Sequence, residues 1–417
     1  MSHAYLIGGY STKFGKHVER SFKDLVRETY EGVLADAGLP DGDAIEIAYF
    51  GTSMMHASGQ ANVQGQMCLS ALVKDGRFPE RVPVINVENA CATSTTAIAG
   101  ASKDIRCGDA HLALAMGIDK LIDPETGKGR FDLFGGALDQ MDPHEWKEYY
   151  QAAGEEAGKP FIMSDDRTPF MDTYGMQAAW HMKAFGTTQR QLAIAAAKTH
   201  NFGADNVRAQ YRFKMTPDEV LTDREVSYPL TRSMCAPMGD GAAAVLVCSE
   251  EFLTNLSSEV RDRAVKIRAM EFSGGKYRKL DEPGLTYVAA KKAFARSGLQ
   301  PQDIDLAEVH DATSFSEIYQ AEMMGFCDIG AGGRFVEEGH TQLGGRTPMN
   351  TSGGLISKGH PIGATGASMI VELMEQLRGE ASARQVKDAR LALAENGGGS
   401  IGFDEAVAAV TILERSM

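Results

Sequence analysis

Three pairs of segments recur in the same order along the 417-residue chain. ADAGLPDGDAIEIAYFG and ARSGLQPQDIDLAEVHD match as helix end, linker and strand, with Gly38 and Gly298 in equivalent places. HLALAMGIDK, with Leu112 to Gly117 inside it, returns as RLALAENGGG, with Leu391 to Gly397 inside it. DGAAAVLVCSE, Asp240 to Glu250, returns as DEAVAAVTILER, Asp404 to Arg415. An ordered repeat of this kind encodes one α/β unit twice. The expectation is two five-stranded layers, with helices between and outside them, related by a pseudo-twofold axis.

Two further stretches occupy equivalent places in the copies. VPVINVENACATSTTAIAGASKDI carries Cys91, and NTSGGLISKGHPIGATGASMI carries His360. Each begins in a strand or turn and runs into a helix rich in Ala, Ser, Thr and Gly. Pseudo-twofold packing brings both turns to the seam. A cysteine at the mouth of a helix meets the positive end of its dipole, which favours thiolate. A histidine from the opposite turn can take and return protons near neutral pH. The pattern therefore predicts a covalent-catalysis site built from Cys91 and His360.

The remaining periodicity fills in the frame. Residues 4–9 read as a strand, Phe22 to Gly38 as an amphipathic helix ended by its glycine, and Ile45 to Gly51 as a strand. Leu285 to Gly298 is the matching helix of the second copy. Lys120 to about Asp223 interrupts the duplication. Its stretch FDLFGGALDQMDPHEWKEYY reads as a polar loop, and Tyr174 to Phe185 and Thr188 to Asn206 read as helices. An insertion beside the seam suggests a lid or substrate-binding element. Leu253 to Val265 reads as a charged bridge. The predicted division is 1–119 with 224–265, an insertion over 120–223, and a second half over 266–417.

A net charge of −14 argues against nucleic acid or an anionic membrane as the main partner, though a local basic patch can still hold an anionic cofactor. No apolar run approaches the roughly 20 residues of a membrane span, and no secretory signal is visible, so a cytoplasmic setting is expected. The six cysteines are scattered without a CxxC pair. Neither a metal site nor a disulfide framework is expected, and a reducing compartment would keep Cys91 usable.

On NVENACATS, CAPMGDGAAAVLV, EVHDA, NTSGGLISKGHPIGATG and ENGGGSIG, the chain resembles the thiolase superfamily, most closely its sterol-carrier-protein-type and archaeal-type members. The resemblance covers nearly the whole chain. It implies the duplicated five-layer α-β-α-β-α thiolase fold with an inserted loop domain. It also implies cleavage or formation of a carbon–carbon bond next to a coenzyme A thioester, with coenzyme A as substrate and no metal. Cys91 would carry the acyl group, His360 would activate it, and His310 would help hold a carbonyl oxygen. The backbone N–H of Gly397 would join that of Cys91 in an oxyanion hole. Asn396, Gly398, Ser352, Gly353 and Met163 would contact substrate or coenzyme A. Met54 and Met55 are further candidates for an acyl pocket, and Arg190, Lys198, Arg208 and Arg212 for the coenzyme A phosphates. A homodimer and a separate small zinc-ribbon/OB-fold partner subunit are also implied.

The sequence departs from that pattern at the second thiol. Degradative thiolases carry a cysteine just before the glycine loop, where this chain has Glu395 and Asn396. Sterol-carrier-type members place one two residues after the histidine of HDxF, where this chain has Ala312 followed by Thr313. Glu395 is the expected replacement, because a desolvated carboxylate gains basicity. The gap favours a specialised β-keto acyl substrate. A thiolase-fold retro-aldolase and a non-catalytic acyl-CoA- or lipid-binding subunit are the competing readings.

Overall fold

The computed structural model describes residues 3–416. The first copy contributes β1 (Ala4–Ser11), β2 (Ile47–Gly51), β3 (Val84–Val87) and β4 (Leu112–Asp119). The hairpin β5 (Glu225–Ser227) and β6 (Leu230–Thr231) forms a separate two-stranded sheet, after which β7 (Gly241–Ser249) returns to the large sheet. The second copy contributes β8 (Val265–Gly274), β9 (Leu306–Glu308), β10 (Leu391–Gly398) and β11 (Val407–Arg415). Neighbours run β3-β2-β4-β7-β1 and then β8-β11-β10-β9. The order is mirrored about the seam, so β1 answers β8, β7 answers β11, β4 answers β10 and β2 answers β9.

Two details differ from a pair of separate five-stranded layers. The sheets are continuous, since β1 and β8 meet through Tyr5–Lys266 and Leu6–Val265. The fifth strand of the second copy shrinks to one bridge, Ala307 with Met349. The chain turns immediately afterwards: Asn350, Gly353 and Gly354 have φ of +55°, +95° and +52°. Those values cannot continue an extended strand.

The helices are, in chain order, α1 (Phe22–Asp36), α2 (Gln64–Lys74), α3 (Thr93–Cys107), α4 (Pro143–Ala157), α5 (Pro169–Phe185), α6 (Gln189–Ala204), α7 (Pro217–Thr222), α8 (Glu250–Thr254), α9 (Ser258–Arg263), α10 (Leu285–Ser297), α11 (Ser314–Met323), α12 (Gly332–Glu337) and α13 (Thr365–Arg378). Strand alternation sorts the cores. Leu112, Leu114 and Met116 of β4 face Leu25 of α1 and Leu69 and Leu72 of α2. Ala113 and Ala115 point the other way, towards Ile98 and Ile105 of α3 and Ile370, Leu373 and Leu377 of α13. Val410 and Ile412 of β11 face Ala289, Ala293 and Phe294 of α10. Small side chains on the inner faces let both sheets close on α3 and α13, giving the layers α-β-α-β-α. Each buried aliphatic side chain contributes about 1.5–3 kcal/mol.

The inserted segment corrects one expectation. FDLFGGALDQMDPHEWKEYY is not loop throughout, because α4 starts inside it. The Asp142 side chain accepts from the His144 N–H, and Pro143 occupies the first turn, where a missing N–H costs nothing. The helix buries Trp146 and Tyr150 among Phe161 and Phe403. The charged bridge, Leu253 to Val265, contains the end of α8 and all of α9. Among the described residues, no helix is long and apolar enough to cross a membrane.

Candidate active site

Cys91 lies on a single 3₁₀ turn, Ala90–Ala92, directly ahead of α3. The turn is tight: Ala90 has a φ of +47°. It is held by its surroundings. Glu88 accepts from the Ala90 N–H at 2.5 Å, and the Ser53 hydroxyl donates to the Ala90 carbonyl at 3.0 Å. His360 stands between Gly359, whose φ is +109°, and the 3₁₀ turn Ile362–Ala364 that leads into α13.

Each turn is fixed by groups from the other copy. Asp119, at the end of β4, accepts from the Gly363 N–H at 2.7 Å. It also accepts from the Thr52 hydroxyl at 2.6 Å and the Ser53 and Met54 N–H groups at 3.1 and 2.9 Å. In exchange, Asn396 on β10 accepts from the Thr95 hydroxyl of α3 at 2.7 Å. Ser94 Oγ accepts from the Ala367 N–H at 2.9 Å. Gly117 is part of the same fit, since a Cβ there would stand 2.0 Å from the Gly363 carbonyl oxygen. Gly117→Ala is expected to cost about 3 kcal/mol and to lower Tm in a thermal melt. An unchanged Tm would show that the seam yields without cost.

The two turns place Cys91 Sγ 3.2 Å from His360 Nε2. The Thr365 hydroxyl donates to the Pro361 carbonyl at 2.9 Å and must therefore accept from His360 Nδ1, 2.7 Å away. That assigns the ring proton to Nδ1 and leaves Nε2 bare towards the sulfur. His310 joins them from the end of β9, its ring centroid 5.3 Å from that of His360. Its buried Nε2 has no hydrogen-bond partner among the described residues. One donor atom from each of the three residues lies within 4.8 Å of the others.

Electrostatics correct the expectation of a resting thiolate. Burial, followed by the charges of Asp119 and Glu88, pushes the Cys91 thiol up to about 12. Burial, reinforced by His310, holds His360 well below its ordinary value, and burial alone lowers His310 to about 4. Desolvation outweighs the dipole of α3, so the free pair is thiol and neutral imidazole. Alkylation of Cys91 by iodoacetamide should therefore rise about tenfold per pH unit between roughly pH 7 and 9. A rate flat from about pH 5 to 8 would indicate an ion pair instead.

These three side chains share the wall of a cavity of about 570 Å³. Met54, Phe131, Phe134, Phe170, Met171 and Met238 give it an apolar lining. Lys16, Arg167, Arg224 and Arg232 also line it. None of these cations carries a sequence signal, for each is an isolated basic residue outside any motif.

The other candidate residues fall in different places. Glu395 lies behind His310, accepting from its backbone N–H at 3.0 Å and from the Thr286 hydroxyl at 3.2 Å, and it does not line the cavity. Gly398 backs onto the cysteine turn: a Cβ there would stand 2.7 Å from Ala92 N. Gly397 faces Glu405 instead. Ser352 is buried, donating to Glu308 from its N–H at 3.0 Å and its hydroxyl at 2.5 Å. Neither Ser352, Gly353 nor Asn396 reaches the cavity. Met163 is 54% exposed and also off the cavity, whereas Met55 packs in the core under α1 and α2. Arg190 pairs with Asp218, Lys198 with Glu317 and Arg208 with Glu375; like Arg212, none lines the cavity.

Among the cavity residues that the sequence reading misses is a carboxylate. Glu405 shares the wall with Cys91, His310 and His360. A signal existed. Written side by side, the repeated segments DGAAAVLVCSE and DEAVAAVTILER set Gly241 against Glu405, a glycine against a carboxylate.

Comparison with known proteins gives a consistent picture. Residues 4–227 match the family described as "Thiolase, N-terminal domain", and residues 283–415 match "Thiolase C-terminal domain-like". The chain is 33% identical to an acetyl-CoA acetyltransferase of Methanothermobacter thermautotrophicus, over 100% of both proteins. It is 34% identical to sterol carrier protein 2 of Bos taurus, over 95% of this chain and 70% of that protein. Among solved structures, the Ltp2-ChsH2(DUF35) aldolase superposes with a TM-score of 0.77 at 22% identity, covering 99% of this chain and 98% of that one.

Proposed function

The chain belongs to the thiolase family, whose members are acyltransferases that use coenzyme A as substrate and need no metal, and we propose that it cleaves or forms the carbon–carbon bond of a β-keto acyl-CoA through an acyl-Cys91 intermediate. One observation carries this reading. A sulfur and the bare nitrogen of an imidazole stand 3.2 Å apart on the wall of a cavity roomy enough for an acyl chain.

In cleavage, Cys91 Sγ attacks the β-carbonyl carbon while His360 Nε2 takes the thiol proton. The bond between the α- and β-carbons then breaks, and its electron pair moves into the thioester as an enolate. The unpartnered Nε2 of His310 is available as a donor to the developing oxyanion. Coenzyme A takes the acyl group from Cys91 in the second half-reaction. Thioester exchange between two thiols is nearly isoenergetic, which suits a cysteine to this role.

The apolar, aromatic lining supports a bulky or ring-bearing acyl group over an acetoacetyl one. Lys16, Arg167, Arg224 and Arg232 are the cations available for the phosphates of coenzyme A. Arg167 is the most constrained of them, held by Asp172 at 2.7 and 3.0 Å. The test is a panel of β-keto acyl-CoA thioesters, assayed with and without free coenzyme A. Multiple turnover that requires free coenzyme A, with no more than one equivalent of cleavage per chain in its absence, supports the proposal. Splitting of a β-hydroxy acyl-CoA without coenzyme A would support the aldolase alternative.

A homodimer is part of the proposal. β3 ends the sheet with its outer edge unpaired, and Val63, Met67 and Ile85 are 47%, 45% and 43% exposed beside it. Such an edge is normally covered. Light scattering should give twice the chain mass, and a monomer at micromolar concentration would refute it. A small separate partner subunit is also part of the reading. It is supported by the aldolase neighbour, in which Ltp2 is joined with ChsH2(DUF35).

A further inference from the structure

The reaction proposed above needs a group that gives a proton to the α-carbon in cleavage and removes one in condensation. Neither sequence position for a second thiol holds a cysteine, and Glu395 does not line the cavity. The cavity wall contains two carboxylates, Asp166 and Glu405. Asp166 is on the rim, 62% exposed, and is engaged by Arg167 and by the Ser164 hydroxyl. Glu405 stands with Cys91, His310 and His360.

Three features hold Glu405 ready. The backbone on either side is pinned. Asp404 binds Arg278 at 2.8 Å and the Leu285 N–H at 3.1 Å, and the Ala406 carbonyl accepts from the Gly275 N–H at 3.0 Å. Gly397 then makes room for the side chain, since a Cβ at that position would stand 2.4 Å from Glu405 Cγ. The carboxylate itself is left lightly engaged. Its side-chain partner is Gln320, at 3.5 Å, and no Lys or Arg among the described residues forms an ion pair with it. Arg278, the nearby cation, is committed to Asp404 and Gln177.

We propose that Glu405 is the catalytic acid and base for the α-carbon, standing in for the missing second thiol. The proposal rests on the acyl-Cys91 reading. In cleavage, the electron pair of the breaking bond remains on the thioester enolate. The Glu405 O–H proton goes to the α-carbon as the new C–H bond forms, leaving a carboxylate. The thiol proton of incoming coenzyme A replaces the one delivered, so the proton count closes over a turnover. In condensation, the carboxylate removes the α-proton first. Burial, reinforced by Asp404, pushes the Glu405 carboxyl up to about 7, so both forms are accessible near neutral pH.

The test separates the half-reactions, because acylation of Cys91 by a thioester needs no α-proton transfer. Wild type, Glu405→Gln and Glu405→Asp are each incubated with acetyl-CoA in D₂O. Intact mass reads acyl-Cys91, and mass spectrometry of the thioester reads exchange of its α-hydrogens. Glu405→Gln is expected to acylate within about threefold of wild type but to lose exchange by about 10²–10⁴-fold, with partial recovery in Glu405→Asp. Wild-type exchange in Glu405→Gln overturns the proposal. So does a parallel loss of acylation and exchange, which would mark a structural role. A wild type that exchanges but is acylated on Cys91 neither by acetyl-CoA nor by any β-keto acyl-CoA of the panel contradicts the underlying thiolase reading instead.

Discussion

Turnover in Cys91→Ala is expected to fall by on the order of 10⁴-fold or more, with little change in Tm. The size follows from the absence of a substitute. Cys235 also lines the cavity, but its thiol donates to the Thr231 carbonyl at 3.4 Å, and burial pushes its pKa up to about 12. No imidazole is hydrogen-bonded to it, so it has no base to take its proton. The alanine leaves the bonds of the turn in place, because Ser53, Glu88 and Thr93 hold the backbone rather than the sulfur. Binding of acyl-CoA should therefore survive. Steady-state assays and a thermal melt check both halves. Retention of more than about a tenth of wild-type turnover would move the chemistry off this sulfur and favour the aldolase alternative.

The second large effect is expected at His360. Burial pushes the Cys91 thiol up to about 12, so attack at neutral pH calls for a base in contact with it. In the proposed reaction His360 Nε2 is that base, its readiness set by Thr365, which fixes the proton on Nδ1. His360→Asn can still donate to Thr365 while removing the basic nitrogen. A loss of about 10²–10⁴-fold is expected, in kcat and kcat/KM together, because proton transfer belongs to the transition state. The residual rate should climb with pH as hydroxide ionises the thiol directly. A change confined to KM would reassign His360 to substrate binding.

Much of the architecture was legible because the chain states it twice. The repeat predicts the pairing of β4 with β10 as equivalents, and it places the two turns at one seam. Charge states were less legible. A helix N-terminus can be seen in a sequence, but the desolvation that overrides it at Cys91 arises only when both copies close over the sulfur. The same closure explains Asn396 and Ser352. Polar residues in glycine-rich turns look like ligand contacts, yet here they satisfy Thr95 and Glu308 inside the protein. Glu405 was hidden for the opposite reason. Its segment reads as a closing strand, and only the pinning of Asp404 by Arg278 turns the next side chain towards the cavity. The start of α4 was missed because Asp142-Pro143 reads equally well as a turn or as a helix cap.

Peptide mapping of the protein after brief incubation with a β-keto acyl-CoA, in the absence of free coenzyme A, tests the central claim most directly. The account predicts that the acyl fragment is found on the peptide containing Cys91, disappears when coenzyme A is added, and is absent in Cys91→Ala. Carbon–carbon cleavage that proceeds at full rate with Cys91 unmodified throughout would contradict it.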